Sequence, residues 1–147
     1  MTAHLAQLNI AVPVGPREDP RMAEFYAELD RINASADDWP GFVWRLVDDD
    51  GADATSLRPF GGDIMVNLSV WRDVAALREF TFRSGHLDIL RRRREWFRPS
   101  GDATAVLWWV PEGHRPSVQE AGRRLDLLRS EGATAEAFTF RDPFAAP

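Results

Sequence analysis

Polar side chains that alternate with aliphatic ones are the first candidates for chemistry in this chain. Gln7 and Asn9 stand between aliphatic residues near its start. In residues 64–71 the even-numbered positions are aliphatic, and the odd-numbered positions include Asn67, Ser69 and Trp71. Such alternation is typical of β-strands with two different faces. A buried amide without a partner costs about 1–3 kcal/mol. These groups therefore line a polar pocket, bond to one another, to backbone or to water, or lie at a subunit interface.

His86 is the titratable residue with the widest chemical scope. An imidazole changes charge near neutral pH, and when neutral it binds iron and zinc. In the sequence it precedes four residues at the spacing of one helical face, Ile89, Leu90, Arg93 and Phe97. We predict that His86 and Asn9 are catalytic. The alternative is an ordinary histidine that is exposed or hydrogen-bonded.

Six further residues are predicted to contact a substrate from the same two strands and the same helical face: Gln7, Asn67, Ser69, Trp71, Arg93 and Phe97. The sequence contains no motif for nucleophilic catalysis, zinc binding or phosphate binding. The chain has no cysteine, no pair of histidines at helical spacing, no G-x-S-x-G turn and no glycine-rich phosphate loop. The sequence therefore offers neither a thiol or serine nucleophile nor a zinc site built by the protein.

Length and charge narrow the class of protein. With 147 residues, 44% of them hydrophobic, the chain has material for one core, and we expect a single domain over residues 1–147. Its net charge is −5, and all 18 basic residues are arginine. Residues 72–98 are locally basic, but four consecutive arginines point around a helix in different directions, which disfavours nucleic-acid binding. With no apolar run of about 20 residues and no signal sequence, we expect a cytoplasmic protein without a membrane span.

Hydrophobic periodicity predicts four strands and several helices. The strands are predicted at residues 4–12, 42–47, 64–71 and 103–110, the last of them central because it is apolar throughout. Helices are predicted over 20–34, from Asp73, from about His86 after a break at 84–85, and from Ser117 to about Ser130. This order is that of a ferredoxin-like, split βαβ fold, an α+β sheet of four antiparallel strands with helices on one face and an added C-terminal helix. We expect the other face to be covered by a second copy, a homodimer through the sheet.

Several stretches together resemble a known group of proteins, among them Asn67-Leu-Ser-Val-Trp71, Arg91-Arg-Arg-Arg-Glu-Trp-Phe97 and Leu107-Trp-Trp-Val-Pro111. They resemble an uncharacterised bacterial domain family of the dimeric α/β-barrel superfamily. That family is similar to spheroidene monooxygenase and to antibiotic-biosynthesis monooxygenases. The resemblance implies a dimer and a pocket between sheet and helices. By analogy with haem-degrading members it also implies haem, with His86 as iron ligand and Asn9 and Trp71 beside it.

Three functions follow as hypotheses. The first is a small monooxygenase that acts on an apolar molecule, with haem or without a cofactor, in which Asn9, Asn67 and Arg93 orient the substrate or a haem propionate. The second is a dimeric protein that binds a hydrophobic ligand without turnover. The third is a cofactor-free cyclase or isomerase that uses the same pocket.

Overall fold

A four-stranded antiparallel sheet forms the centre of the protein. The computed structural model describes residues 2–48, 51, 53–83 and 86–147, with only the backbone of His86. The strands are β1 (Ala3–Ala11), β2 (Phe42–Arg45), β3 (Met65–Trp71) and β4 (Ala105–Pro111), in the spatial order β2-β3-β1-β4. The two strands that carry the polar alternation, β1 and β3, are neighbours in the middle of the sheet, in agreement with a ferredoxin-like order of elements.

Five α-helices pack around this sheet in the described residues. They are α1 (Ala23–Asp37), α2 (Val74–Arg83), α3 (His86–Arg91), α4 (Arg93–Trp96) and α5 (Val118–Glu131). Asp19 caps the 3-10 turn Pro20–Met22 that leads into α1, since its carboxylate accepts from the Arg21 N–H. The single helix predicted from His86 is two short helices that join at Arg92, and the predicted break at 84–85 lies outside the described residues. Within the described residues, no helix has the length and apolar character needed to cross a bilayer.

The two faces of the sheet carry separate hydrophobic cores. Leu5, Trp71 and Leu107 face the core that α1, α2, α3 and α4 form. Leu8, Leu68 and Trp108 face the opposite way and pack against α5. The sequence left the position of α5 open, and it covers the face that we expected a second copy to cover.

That finding corrects our reason for a homodimer through the sheet. Leu8, Val106 and Trp108 are fully buried within one chain. The premise of an uncovered face was wrong, because the added helix supplies the apolar cover itself. Trp108 lies under α5, where its indole N–H donates to Glu120 at 2.9 Å, and the adjacent Trp109 packs on the other side of the sheet.

The predicted central position of the last strand is also wrong. β4 lies at one edge of the sheet, next to β1 only among the strands. It is apolar on both faces because a later segment protects its outer edge: Leu107 and Phe138 exchange two backbone hydrogen bonds, of 2.7 and 2.8 Å. A strand sequence that is apolar throughout indicates that both faces of the strand are buried. An edge strand can also be buried on both faces when other segments cover it.

Glu120 ties the first turn of α5 to the sheet beneath it. One of its carboxylate oxygens accepts from Trp108, and the other lies 2.7 Å from His114 Nε2. Burial alone raises the pKa of this carboxyl. The hydrogen bonds from Trp108 and His114, together with the charges of His114 and Arg124, outweigh burial and hold the pKa below its ordinary value.

This lowered pKa predicts acid-sensitive anchoring of α5. A carboxyl whose pKa is lower in the folded than in the unfolded state stabilises the fold above the unfolded pKa, and that contribution disappears as pH falls through the folded pKa. We expect Glu120→Gln to lower Tm at pH 7, and its difference from the parent protein to shrink between about pH 5 and pH 3. Thermal unfolding followed by circular dichroism measures this. Glu112→Gln, at an exposed glutamate nearby, is the control. A difference that stays constant with pH would contradict the linkage.

Candidate functional site

A cavity of about 440 Å³ lies between the sheet and the helices α1 to α4. Its size is that of a small-molecule pocket. Apolar and aromatic side chains form most of the wall, including Phe25, Leu77, Phe80 and Ile89. Seven of the eight residues that the sequence predicts for the site line this one cavity: Gln7, Asn9, Asn67, Ser69, Trp71, Arg93 and Phe97. Their functional roles stay predictions.

The strand pairing explains why the polar residues meet. β1 and β3 run antiparallel, with Gln7 opposite Ser69 and Asn9 opposite Asn67. Side chains of one parity point to one face of a sheet, so all four reach the cavity face together. The aliphatic residues of the other parity pack under α5. The polar floor of the cavity therefore follows directly from the alternation in the sequence.

The floor is held by a chain of hydrogen bonds. The amide nitrogen of Gln7 donates to Asn67 Oδ1 at 2.5 Å and to Ser69 Oγ at 2.8 Å. The Trp71 indole N–H donates to the same Ser69 Oγ, also at 2.8 Å. Trp71 itself is 2% exposed and packs against the rings of Phe42 and Phe80. A buried aromatic residue therefore anchors one end of the chain of hydrogen bonds.

This chain determines which polar atoms remain for a ligand. A hydroxyl oxygen has two lone pairs, and those of Ser69 accept from Gln7 and Trp71. The hydroxyl proton of Ser69 has no acceptor within the described part of the chain. Because Asn67 uses its carbonyl oxygen to accept from Gln7, its two amide protons remain free to donate. The floor thus offers hydrogen-bond donors.

The remaining predicted residues lie around the floor. Asn9 is partly exposed and stands opposite Asn67 on the neighbouring strand. Phe97 follows α4, and its ring meets that of Phe25 edge-on, with centroids 4.9 Å apart. Arg93 begins α4 and is exposed at the cavity. The side chain of His86 lies outside the described residues, so its predicted role is untested; its backbone begins α3.

Sequence reasoning missed one whole wall of the cavity. Residues after α5 return along the edge of β4, and Thr139, Phe140 and Arg141 line the cavity from there. The Phe82 and Phe140 rings lie 6.0 Å apart, which joins this segment to α2. Phe138-Thr-Phe140 alternates apolar and polar residues, a signal of an extended segment that could have found this wall.

Two more residues were missed because nothing in their local pattern marks them. Asn33 on α1 and Arg45 on β2 line the cavity from the side opposite the returning segment. Arg45 forms an ion pair with Asp37, with Nε 2.8 Å from a carboxylate oxygen. Only the packing of α1 across the sheet brings these side chains to the cavity.

The residues that line the cavity determine whether it could hold haem. Haem iron takes axial ligands such as histidine, cysteine, tyrosine or methionine. No described residue that lines the cavity is a histidine, cysteine or tyrosine, and the lining Met65 is buried in the core beside Trp71. No group of three or more metal-ligating side chains occurs in the described residues. These residues do not fit haem, and the haem hypothesis depends on His86 alone.

The structure of this chain is similar to several solved structures, of which three are described. SnoaB, a cofactor-independent oxygenase from Streptomyces nogalater, is 22% identical, with a TM-score of 0.52 over 79% of this chain and all of that one. PA3566 from Pseudomonas aeruginosa is 13% identical, with a TM-score of 0.51 over 80% of this chain and 98% of that one. A candidate antibiotic biosynthesis monooxygenase from Chloroflexus aurantiacus is 12% identical, with a TM-score of 0.49 over 76% of this chain and 97% of that one. At these identities the first two show a shared fold, in agreement with the predicted architecture.

Sequence comparison gives a more direct assignment. No curated protein matches the chain at a significant level. The profile of the family described as "Domain of unknown function (DUF3291)" matches residues 4–147. From the second residue of β1 onward, the match takes in every described strand and helix and the returning segment that closes the cavity. On this coverage, the chain belongs to the DUF3291 family.

Proposed function

We propose that this protein is a small oxygenase that acts on an apolar, fused-ring compound without a resident cofactor. The observation that carries the proposal is the cavity itself, with aromatic walls and a floor of hydrogen-bond donors fixed by the Gln7–Ser69–Trp71 contacts. Aromatic walls suit a flat hydrophobic molecule, and donors suit an oxygen that gains negative charge during a reaction. The cofactor-independent oxygenase SnoaB, which shares the fold, supports this choice.

Oxygenation without a cofactor requires the substrate to supply the electrons. A methylene group conjugated to a carbonyl can do so: it loses a proton, and negative charge moves to the carbonyl oxygen. The overall reaction is R₂CH₂ + O₂ → R₂C=O + H₂O, in which the methylene carbon is oxidised and dioxygen is reduced. It balances with no external reductant.

The residues of the floor have defined parts in this proposal. Asn67 and Ser69 donate to the carbonyl oxygen of the substrate as it becomes an enolate, and Gln7 and Trp71 hold those donors in place. Donors aimed at developing charge in a water-poor site are among the strongest contributions to catalysis. Asn9 orients the substrate from the neighbouring strand, and Phe97 packs on its ring.

The proton acceptor is the remaining part. Within the described lining there is no aspartate, glutamate or histidine side chain. We propose His86 for this role, on the helical spacing that relates it to Ile89 and Leu90, both of which line the cavity. An imidazole is neutral and able to accept a proton near pH 7.

Oxygen uptake tests the proposal. Purified protein, stripped of metal by a chelator, is mixed with anthrone, a tricyclic ketone with an acidic methylene group, and dissolved oxygen and products are followed. We expect one O₂ consumed for each carbonyl formed, at a rate above that of the compound alone and abolished by heat denaturation of the protein. Bound anthrone with no oxygen uptake would overturn the proposal in favour of a ligand-binding protein. Conversion without oxygen would favour a cyclase or isomerase.

The haem alternative has its own measurement. If the alternative holds, haemin added to the protein gives an intense absorption band at about 400 nm. The same band is absent when haemin is added to His86→Ala. Together with uptake that depends on haemin, this result would replace the cofactor-free proposal. Uptake that is the same with and without haemin supports it.

A further inference from the structure

The charge of the cavity lining differs from that of the whole chain. The chain has 23 acidic and 18 basic residues. The cavity is lined by three arginines, Arg45, Arg93 and Arg141, and by no aspartate or glutamate of the described residues. An acidic protein with a positively charged cavity favours negatively charged ligands there.

Two of these arginines have no partner among the described residues and can bind a ligand. Arg45 is engaged by Asp37. Arg93 and Arg141 are exposed at the cavity, and neither forms an ion pair or a hydrogen bond with the residues that the structure describes. Their neighbour Arg92, by contrast, pairs with both Glu24 and Glu95. Arg93 therefore presents to the cavity a guanidinium group with no partner among the described residues, next to an arginine whose charge is already paired.

The cavity is also polarised from inside to outside. Ser69 and Trp71 at the floor are 6% and 2% exposed, whereas Arg93 and Arg141 are exposed to solvent. The two arginines come from different parts of the chain, the start of α4 and the segment after α5. A ligand that fills the apolar interior therefore meets the buried Ser69 hydroxyl at its inner end and two positive charges at its outer end.

We propose that the substrate is an apolar ring compound that carries a carboxylate at its outer end, bound by Arg93 and Arg141. This inference rests on the proposed function, whose substrate class it makes more specific. A guanidinium group matches a carboxylate because its planar N–H groups can donate two parallel hydrogen bonds. Binding at the outer end leaves the ring system beside Asn67 and Ser69.

A matched pair of fluorescent probes tests this proposal. Anthracene-9-carboxylate and the uncharged anthracene-9-carboxamide have similar shapes and differ in charge. We expect the carboxylate to bind about tenfold more tightly in low salt, the effect of one charge-assisted hydrogen bond pair. Added salt should reduce that preference, since the arginines are exposed. Fluorescence titration of the purified protein gives both dissociation constants.

Variants locate the charge effect. Arg93→Gln and Arg141→Gln should each weaken carboxylate binding about threefold, so that together they remove the preference, and should leave carboxamide binding unchanged. Arg94→Gln is the control, because Arg94 is exposed on the same helix and does not line the cavity. Arg93→Gln and Arg141→Gln should keep the Tm of the parent protein.

The outcomes separate this proposal from the proposed function. Equal binding of the two probes, or equal weakening of both by Arg93→Gln and Arg141→Gln, overturns the carboxylate proposal. If anthrone-dependent oxygen uptake persists in that case, the proposed oxygenase stands. If neither probe binds and no oxygen is consumed, both proposals fail.

Discussion

Replacing Phe138 by alanine is expected to lower the free energy of unfolding by about 3–5 kcal/mol. Phe138 is fully buried although it follows the last helix, and it packs against the rings of Trp109 and Phe144. Removing its ring leaves a hole in the core and weakens the backbone pairing with Leu107. Urea denaturation followed by tryptophan fluorescence measures the change.

The control is the neighbouring ring of Phe144, which is 37% exposed. Phe144→Ala should cost about 1 kcal/mol, the typical value of one aromatic pair, because water already reaches part of that side chain. Phe138→Ala should also weaken binding of anthracene-9-carboxamide, since Thr139 and Phe140 form a wall of the cavity. A loss of 1 kcal/mol or less in Phe138→Ala would mean that the segment does not pack on β4.

Replacing Asn67 by alanine is expected to lower kcat for oxygen uptake about 100- to 1000-fold, the usual effect of removing one donor to a developing oxyanion. The fold should tolerate the change, because Asn67 is exposed and lies on the cavity floor. Its amide group donates to the substrate oxygen in the proposed reaction, while its carbonyl accepts from Gln7. Steady-state oxygen uptake with anthrone, together with Tm, measures both effects.

Two further variants test whether the activity depends on hydrogen-bond donation by the Asn67 amide. Asn67→Asp keeps an acceptor for Gln7 but has no amide protons to donate, so it should lose as much activity as Asn67→Ala. Asn33→Ala removes another amide that lines the cavity, on α1 and outside the chain of hydrogen bonds. It should change kcat by less than about tenfold. Full activity in Asn67→Asp would show that the amide donates nothing to the reaction.

The polar floor could be predicted from the sequence because it depends on a local rule. Alternation fixes which side chains of a strand share a face, and the order of elements made β1 and β3 neighbours. Gln7, Asn67 and Ser69 therefore came together as expected, with Trp71 beside them. The same reasoning placed Arg93 and Phe97 at the cavity through helical spacing, although the helix is divided at Arg92.

What could not be predicted depends on how distant elements pack. α5 has an apolar face, but its periodicity does not say which side of the sheet it covers. The homodimer was inferred from a sheet face taken to be uncovered, and α5 covers that face. The edge position of β4 was missed because burial by the segment around Phe138 produces the same apolar pattern as a central strand. Arg45 and Arg141 entered the cavity only through such long-range packing.

The segment around Phe140 also determines when the cavity can first close during synthesis. The Arg78 side chain bonds to the carbonyl oxygen of Phe140, and that carbonyl belongs to a residue made 62 positions later. A nascent chain that has completed all four strands therefore still has a hollow open along one side. The cavity would close only after Phe138 reaches Leu107, so premature termination between α5 and that residue would leave it open beside β4.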